Sequence, residues 1–154
     1  MESPERRLEE RGIKLPRPPA GVGAYTPWVV TGVHVVTSGQ LPWKNGELAY
    51  VGQVPTNVSL EDGYQSARLC AINATSQLQE AVGELSRVRR IVRVEGYVHA
   101  APGFDSHPKV LDGASDWFVE IFGEAGVHTR VALGISDMPL RAATQIAVTA
   151  EIEI

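Results

Sequence analysis

A single cysteine, Cys70, stands in a chain of 154 residues. One thiol cannot close an intramolecular disulfide, and it excludes a cysteine-rich zinc site. A surplus of positive charge is missing too: 14 Lys and Arg face 18 Asp and Glu, for a formal net charge of -4. Nucleic-acid coats carry a basic excess, so the balance argues against such a partner. Nowhere do roughly 18 apolar residues run together, so the sequence offers no membrane partner. The residues from Met1 to Arg7 are charged and lead into no apolar stretch, unlike a secretory signal. A cytoplasmic protein is expected.

Metal and phosphate motifs are equally scarce. His34, His99, His107 and His128 show no paired spacing such as HExxH, and no carboxylate stands at a ligand-like offset, so no metal is expected. The glycines of Gly21-Val22-Gly23-Ala24 are not followed by a helix carrying Lys and Ser or Thr, which a phosphate loop requires. Arg87, Arg89, Arg90 and Arg93 cluster in sequence; a solvated edge facing acidic neighbours suits the overall acidity better than an RNA surface. Cys70 lies between Leu69 and Ala71 in a helical stretch, where a thiol behaves as a small hydrophobe.

What is present describes an ordinary globular chain. With 44% hydrophobic and 21% charged residues, it is long enough for one domain around one core, residues 1–154. Residues 1–24 belong to that domain as a short helix, Glu5 to Gly12, followed by an extended arm, because Pro16, Pro18 and Pro19 remove backbone donors. Val29 to Thr37 reads as the first strand, and Lys44-Asn45-Gly46-Glu47 as a turn whose Asn-Gly pair tolerates positive φ. Ser59, with Asp62 three residues on, caps a long helix with a buried stripe of Tyr64, Ala67, Ala71, Ala74, Leu78, Ala81 and Leu85. Ile91 to Ala100 alternates as a strand. A second helix, Lys109 to about Glu124, buries Val110, Ala114, Trp117, Phe118, Ile121 and Phe122.

Two alternating runs close the chain, Arg130 to Ile135 and Gln145 to Ile154. Period-2 alternation makes both half-buried strands, and their proximity in sequence suggests that they lie side by side. The order of elements implies an α+β fold: one mixed sheet with two helices packed on one face, and an opposite face that needs a cover, such as another subunit. Arg130 opens its strand on the face opposite Val131, Leu133 and Ile135. A guanidinium fixed at a strand end offers a planar fork matched to a carboxylate. A site for a small anionic molecule follows, against the plainer reading that Arg130 caps a helix or pairs with a carboxylate. His128 is the one histidine near it.

Several stretches together resemble the RidA family, also called YjgF or endoribonuclease L-PSP. They are Pro19-Ala20-Gly21-Val22-Gly23-Ala24-Tyr25, Val35-Val36-Thr37-Ser38-Gly39-Gln40-Leu41-Pro42, Ala71-Ile72-Asn73, Gly113-Ala114-Ser115-Asp116, and Thr129-Arg130-Val131-Ala132 through Met138-Pro139. The resemblance spans residues 18 to 154 and points to a longer-chain subgroup. It implies a chorismate-mutase-like fold, a homotrimer with pockets in the clefts between subunits, and hydrolysis of reactive 2-imino acids to 2-oxo acids and ammonia without a cofactor. It also implies that Arg130 holds the substrate carboxylate, that Tyr25, Ser38 and Gly39 line the pocket, and that Asp112 stands at the position of an asparagine of the second helix. Two positions depart from the family pattern. Gln145 replaces a glutamate that polarises the attacking water, and Ala132 replaces a cysteine. A glutamine binds water but takes no proton. These departures favour, as the alternative, a non-catalytic binder of small carboxylates; a third reading, an endoribonuclease, rests on the family's older name and the Arg87 to Arg93 cluster.

Overall fold

Small residues decide how closely the two long helices approach each other and the sheet. In the computed structural model, which describes residues 2–154, a short helix α1 spans Pro4–Glu10, the long helix α2 Leu60–Val82, and α3 His107–Phe122. Ser59 caps α2 as expected, its Oγ accepting the Asp62 N–H at 3.0 Å. All six expected core positions of α3 are buried. A methyl group at Gly113 would collide with the Tyr64 carbonyl of α2, so this glycine marks the point where the two helix backbones touch. The buried face of α2 is broader than its predicted stripe. Asn73 to Leu78 are all buried, because the sheet, α3 and the N-terminal arm cover it from different sides. Tyr64 and Ala81 are only half-buried.

Buried polar groups along this interface are satisfied locally. Trp117, fully buried, donates its indole N–H to Thr75 Oγ1 at 2.9 Å, and that hydroxyl donates to Ala71 O at 2.8 Å. The Arg68 guanidinium lies 5.1 Å from the Trp117 ring centroid and pairs with Glu120. Glu120 also pairs with Arg11, and Arg7 donates to the Glu120 carbonyl. The end of α1 is thereby fastened across α3, with Leu8 in the core.

The sheet runs in the order β1-β2-β7-β5-β6, with β1 at Trp28–Thr31, β2 at His34–Thr37, β5 at Val88–His99, β6 at Thr129–Ile135 and β7 at Thr144–Ile152. A separate two-stranded hairpin joins β3 (Trp43–Lys44) to β4 (Glu47–Leu48). Its turn residues Asn45 and Gly46 have φ of 52° and 80°, as the Asn-Gly pair predicts.

Two expectations about strands are corrected. The stretch from Val29 to Thr37 is two strands, not one. Gly32, at φ 57°, opens a two-residue turn that pairs Thr31 with His34. The last two strands are not neighbours, because β5 lies between them. Strand β6 pairs with β5 in parallel, and β7 pairs with β5 antiparallel on its other side. A parallel neighbour needs a crossover, and α3 supplies it. The return from β6 to β7 then passes over the end of β5, where Ala100 N–H donates to Ile135 O and His99 N–H to Ala143 O.

This register sorts the side chains between two faces. Val94, Ile146 and Val148 are buried beneath the helices, and Arg130, paired with Val94, points to the same side. Val131 and Leu133 share the helix-free face with Glu95, Tyr97, Ala147 and Gln145; Leu133 is exposed. Arg130 is the second residue of β6, which begins at Thr129.

The contact at Gly113 makes a prediction. Gly113→Ala must push α2 and α3 apart, and should cost about 3 kcal/mol or more, at the upper end of overpacking effects. Urea denaturation compared with the wild type measures it; a loss under about 1 kcal/mol would mean that the helices separate easily.

Candidate functional site

Gly39 follows β2 at a point where an added side chain would have to displace Gln145. A Cβ there would stand 2.6 Å from the Gln145 side chain, so the carboxamide of β7 packs directly against the glycine. Beside this contact opens a cavity of about 510 Å³, lined by Tyr25, Ser38, Gly39 and Gln145 together with Val22, Trp43, Pro139 and Leu140. Four of the residues predicted for the site therefore meet in one place.

The cavity walls are held by neutral hydrogen bonds. Buried Gln77 of α2 donates to the Pro19 carbonyl of the arm at 2.8 Å and to Gln40 Oε1 at 3.3 Å. Gln40, itself buried, donates to Ser38 O at 3.1 Å and is paired through its backbone with Ile146. The Ser38 hydroxyl donates to Thr26 O at 2.6 Å, fixing the segment that carries Tyr25. The Tyr25 hydroxyl accepts the Val22 N–H at 2.9 Å, and its ring covers Gly21 and Gly23. No Asp, Glu, Lys, Arg or His lines this space. It offers carboxamide, hydroxyl and backbone groups that can orient water or a carbonyl, but no carboxylate base. Gln40 and Gln77 were not singled out in the sequence, because a glutamine in a strand end or a helix carries no signature of its own.

Arg130 lies elsewhere, on the other face of the sheet and on the far side of β5. Its guanidinium is engaged: Nη1 donates to Asp112 Oδ1 at 2.9 Å and to Ser115 Oγ at 3.0 Å, and Nη2 makes a long 3.4 Å contact with Pro108 O. The expectation of a guanidinium unencumbered at a strand end is thus corrected; Asp112 is its ion partner. Asp112 and Ala132 are not in the cavity. Ala132 follows Arg130 by two residues on the same strand face and packs against the core.

Ser115 and His128 extend the arginine cluster. His128 Nε2 lies 2.8 Å from Ser115 Oγ, and Nδ1 lies 2.6 Å from Gly126 O. With the proton assigned to Nδ1, a neutral His128 accepts the Ser115 hydroxyl, leaving the serine lone pairs for Arg130. Burial lowers the His128 pKa below its ordinary 6.5, the neighbouring Arg130 charge lowers it further, and the Gly126 carbonyl opposes both. The neutral form is therefore the native one at pH 7.

The other candidates settle simply. Cys70 is fully buried, and desolvation pushes its thiol up to about 12, so it stays protonated and unreactive. Arg89 pairs with Glu153 and Arg93 with Glu95, while Arg87 donates to the carbonyls of Val82 and Glu153. These arginines face acidic and carbonyl oxygens of their own chain. Among the described residues no three His, Cys, Asp or Glu side chains converge as a metal site would need. No described helix is long and apolar enough to cross a membrane.

Known proteins share this architecture. A family model described as "YjgF/chorismate mutase-like, putative endoribonuclease" matches residues 5–152. Protein TCP17 of Trypanosoma cruzi is 36% identical over 140 residues, covering 90% of this chain and 88% of its own. A crystal structure from Shewanella oneidensis MR-1, bearing the same endoribonuclease designation, superposes with a TM-score of 0.95 at 42% identity, over 98% of this chain and 100% of the other. Escherichia coli TdcF, crystallised with bound serine, shares the fold with a TM-score of 0.62 at 22% identity, over 89% and 94% of the two chains.

The lowered His128 pKa sets a pH dependence. A group whose folded pKa is depressed gives stability that is present above its unfolded value and is lost as pH falls toward the folded one. Wild-type thermal stability should therefore decline below pH 6.5, the ordinary histidine value. His128→Gln should flatten that part of the profile; equal slopes in the two proteins would remove His128 as the cause.

Proposed function

This chain belongs to the YjgF/chorismate mutase-like family, and from that premise we propose that it binds a small 2-imino or 2-oxo acid between two copies of itself and hydrolyses the imino acid. The carrying observation is the division of the site residues. One patch is a neutral cavity with Gln145 at its edge; the other is a guanidinium cluster around Arg130, separated from it by β5. A neutral cavity holds a carboxylate poorly, and a lone arginine encloses nothing. Each supplies what the other lacks when one copy's Arg130 faces its neighbour's cavity. Contacts between unlike patches close into a ring when the rotation between copies closes, as a homotrimer needs, and the chain's open sheet face, carrying Val36 and Leu133, offers an apolar surface for assembly. TdcF with bound serine is a precedent for a small amino-acid-like ligand on this fold.

Arg130 keeps capacity for such a ligand. A guanidinium has five N–H donors, and Asp112 and Ser115 occupy Nη1 alone. Among the described residues no acceptor engages Nε–H, and Nη2 has only its long contact. The Nε and Nη2 protons form a side-on pair that fits a carboxylate in bidentate fashion. Asp112 and Ser115 would hold the plane of the group while the substrate takes that edge.

The chemistry then asks for positioning. Water oriented by Gln145 adds its oxygen to the electrophilic imine carbon, and the resulting carbinolamine breaks its C–N bond. Nitrogen leaves as ammonia with the protons that the water brought, and the carbon becomes the 2-oxo group. Proximity can lower this barrier considerably, but with no carboxylate in the cavity general-base help is missing. That same observation favours the second reading, a binder of small carboxylates that does not turn them over. Either role fits a cytoplasmic protein that meets products of amino-acid metabolism.

Coupling the protein to an amino-acid oxidase and capturing surviving imine with semicarbazide separates these readings. Wild type should lower imine capture and Arg130→Ala should not; equal capture with both proteins rejects hydrolysis at Arg130. If neither protects the imine, calorimetry with 2-oxobutanoate decides for a binder when wild type binds and Arg130→Ala does not. Gln145→Glu restores a base at the water position and should raise hydrolysis about 10²-fold or more. No gain would show that this position does not face the attacking water.

A further inference from the structure

Ser115 sends its hydroxyl away from its own helix. Serine and threonine inside a helix commonly return a hydrogen bond to the carbonyl four residues back. Thr75 and Ser76 of α2 do so, donating to Ala71 O at 2.8 Å and Ile72 O at 3.2 Å. Ser115 of α3 would have Leu111 O for that purpose. Its hydroxyl partners among the described residues are instead His128 Nε2 at 2.8 Å and Arg130 Nη1 at 3.0 Å, both from the chain beyond the helix. An imidazole and a guanidinium therefore meet on one oxygen. The direction of a single hydroxyl proton decides whether that oxygen can serve the arginine.

That direction is set by the backbone. Gly126 lies in the short turn after α3, and a Cβ there would collide with the Phe118 carbonyl. With the turn seated against the helix, the Gly126 carbonyl stands 2.6 Å from His128 Nδ1. Nδ1 must carry the proton, because an unprotonated nitrogen would set its lone pair against the carbonyl oxygen. Nε2 is then an acceptor and takes the Ser115 proton, which leaves the serine lone pairs to Arg130. The Phe118 ring packs edge-on against the imidazole, at 5.9 Å between centroids and 80° between planes. Without an acceptor at Nε2 the Ser115 hydroxyl would return to the Leu111 carbonyl, and Nη1 of Arg130 would keep Asp112 alone. A guanidinium held by one bond pivots, whereas two bonds fix its plane.

We propose that Ser115 and His128 are positioning residues for the carboxylate grip of Arg130. The Gly126 carbonyl fixes the tautomer of His128, and the tautomer fixes the Ser115 hydroxyl. Ser115 in turn holds Nη1, so that the Nε and Nη2 protons stay presented to the acid group. All of these contacts lie within one chain, so each copy brings to the assembled cleft an arginine already set. This rests on the reading that Arg130 binds a carboxylate. Ser115 and His128 act through the guanidinium, and a side chain set in advance loses less conformational freedom on binding.

Calorimetry on the full chain with 2-oxobutanoate tests this. Ser115→Ala and His128→Leu should each weaken binding about threefold to tenfold, the effect of having to immobilise one flexible side chain. His128→Gln places a carboxamide oxygen where Nε2 stood and should bind nearly as tightly as wild type. Rescue by glutamine but not by leucine separates positioning from packing. Where the imine is hydrolysed, Ser115→Ala should raise KM by the same factor with little change in kcat, because the carboxylate is held equally before and during the reaction. An unchanged Kd in Ser115→Ala, or equal losses in His128→Gln and His128→Leu, overturns the proposal and leaves the carboxylate reading of Arg130 standing. Should His128→Leu fail to fold, Ser115→Ala carries the test, since it removes one oxygen only. Nitrogen NMR of isotope-labelled wild type should show a neutral His128 at pH 7 with its proton on Nδ1; a proton on Nε2 overturns the proposal as well. If wild type itself binds no 2-oxobutanoate, the reading of Arg130 falls and the proposal falls with it.

Discussion

The parallel pairing of β5 with β6 is the constraint from which the arrangement of the site follows. It needs α3 as a crossover, so α3 lies against the face of the sheet toward which Arg130 points. The guanidinium is therefore met by the first turns of that helix, through Pro108, Asp112 and Ser115. The same pairing pushes β7 to the inner side of β5, and with it Gln145, on the opposite face. One chain consequently presents two partial sites that it cannot join by itself. In the proposed function, a second copy is what joins them.

The two halves differ in how they are held. Around Arg130 the arrangement is ionic and depends on protonation: a neutral His128 accepts from Ser115, which in turn accepts from the arginine. The cavity is held by buried carboxamides that do not titrate, with Gln77 linking α2 to the arm and to the end of β2. Acid should disturb the first half while leaving the second intact. Close helix packing supports both. The missing side chain at Gly113 lets α3 lie against the backbone of α2, while Trp117 and Thr75 satisfy each other in the same interface.

Much of the fold was legible because its signals are local. Ser59 and Asp62 mark a helix start, Asn45-Gly46 a tight turn, and Val110 to Phe122 an apolar stripe, each fixed by residues a few positions apart. Gly32 was read as part of a strand because a lone glycine in an apolar run resembles a weak strand residue; its positive φ belongs to the turn. The adjacency of β6 and β7 was misread because nearness in sequence stood in for pairing, whereas α3 had already committed β6 to β5. Tyr25, Ser38, Gly39 and Gln145 were found through their resemblance to a family pattern, and the cavity brings them together. Ser115 and Gln40 lay inside stretches that carried the resemblance but had no role assigned, and Gln77 had no signal, since each acts through a contact with a residue distant in the chain.

By itself the sequence determined the kind of chain: one small mixed α+β domain without a long apolar helix, with a single cysteine and an acidic balance of charge. Those properties are set by composition, periodicity and residue identity. Only the tertiary structure decided that Arg130 carries its own aspartate, that it lies on the other face of the sheet from Gln145, and that Tyr25, Ser38, Gly39 and Gln145 line one cavity without charged walls. Strand pairing and side-chain direction depend on which elements share the same space, and that information is spread over the whole chain.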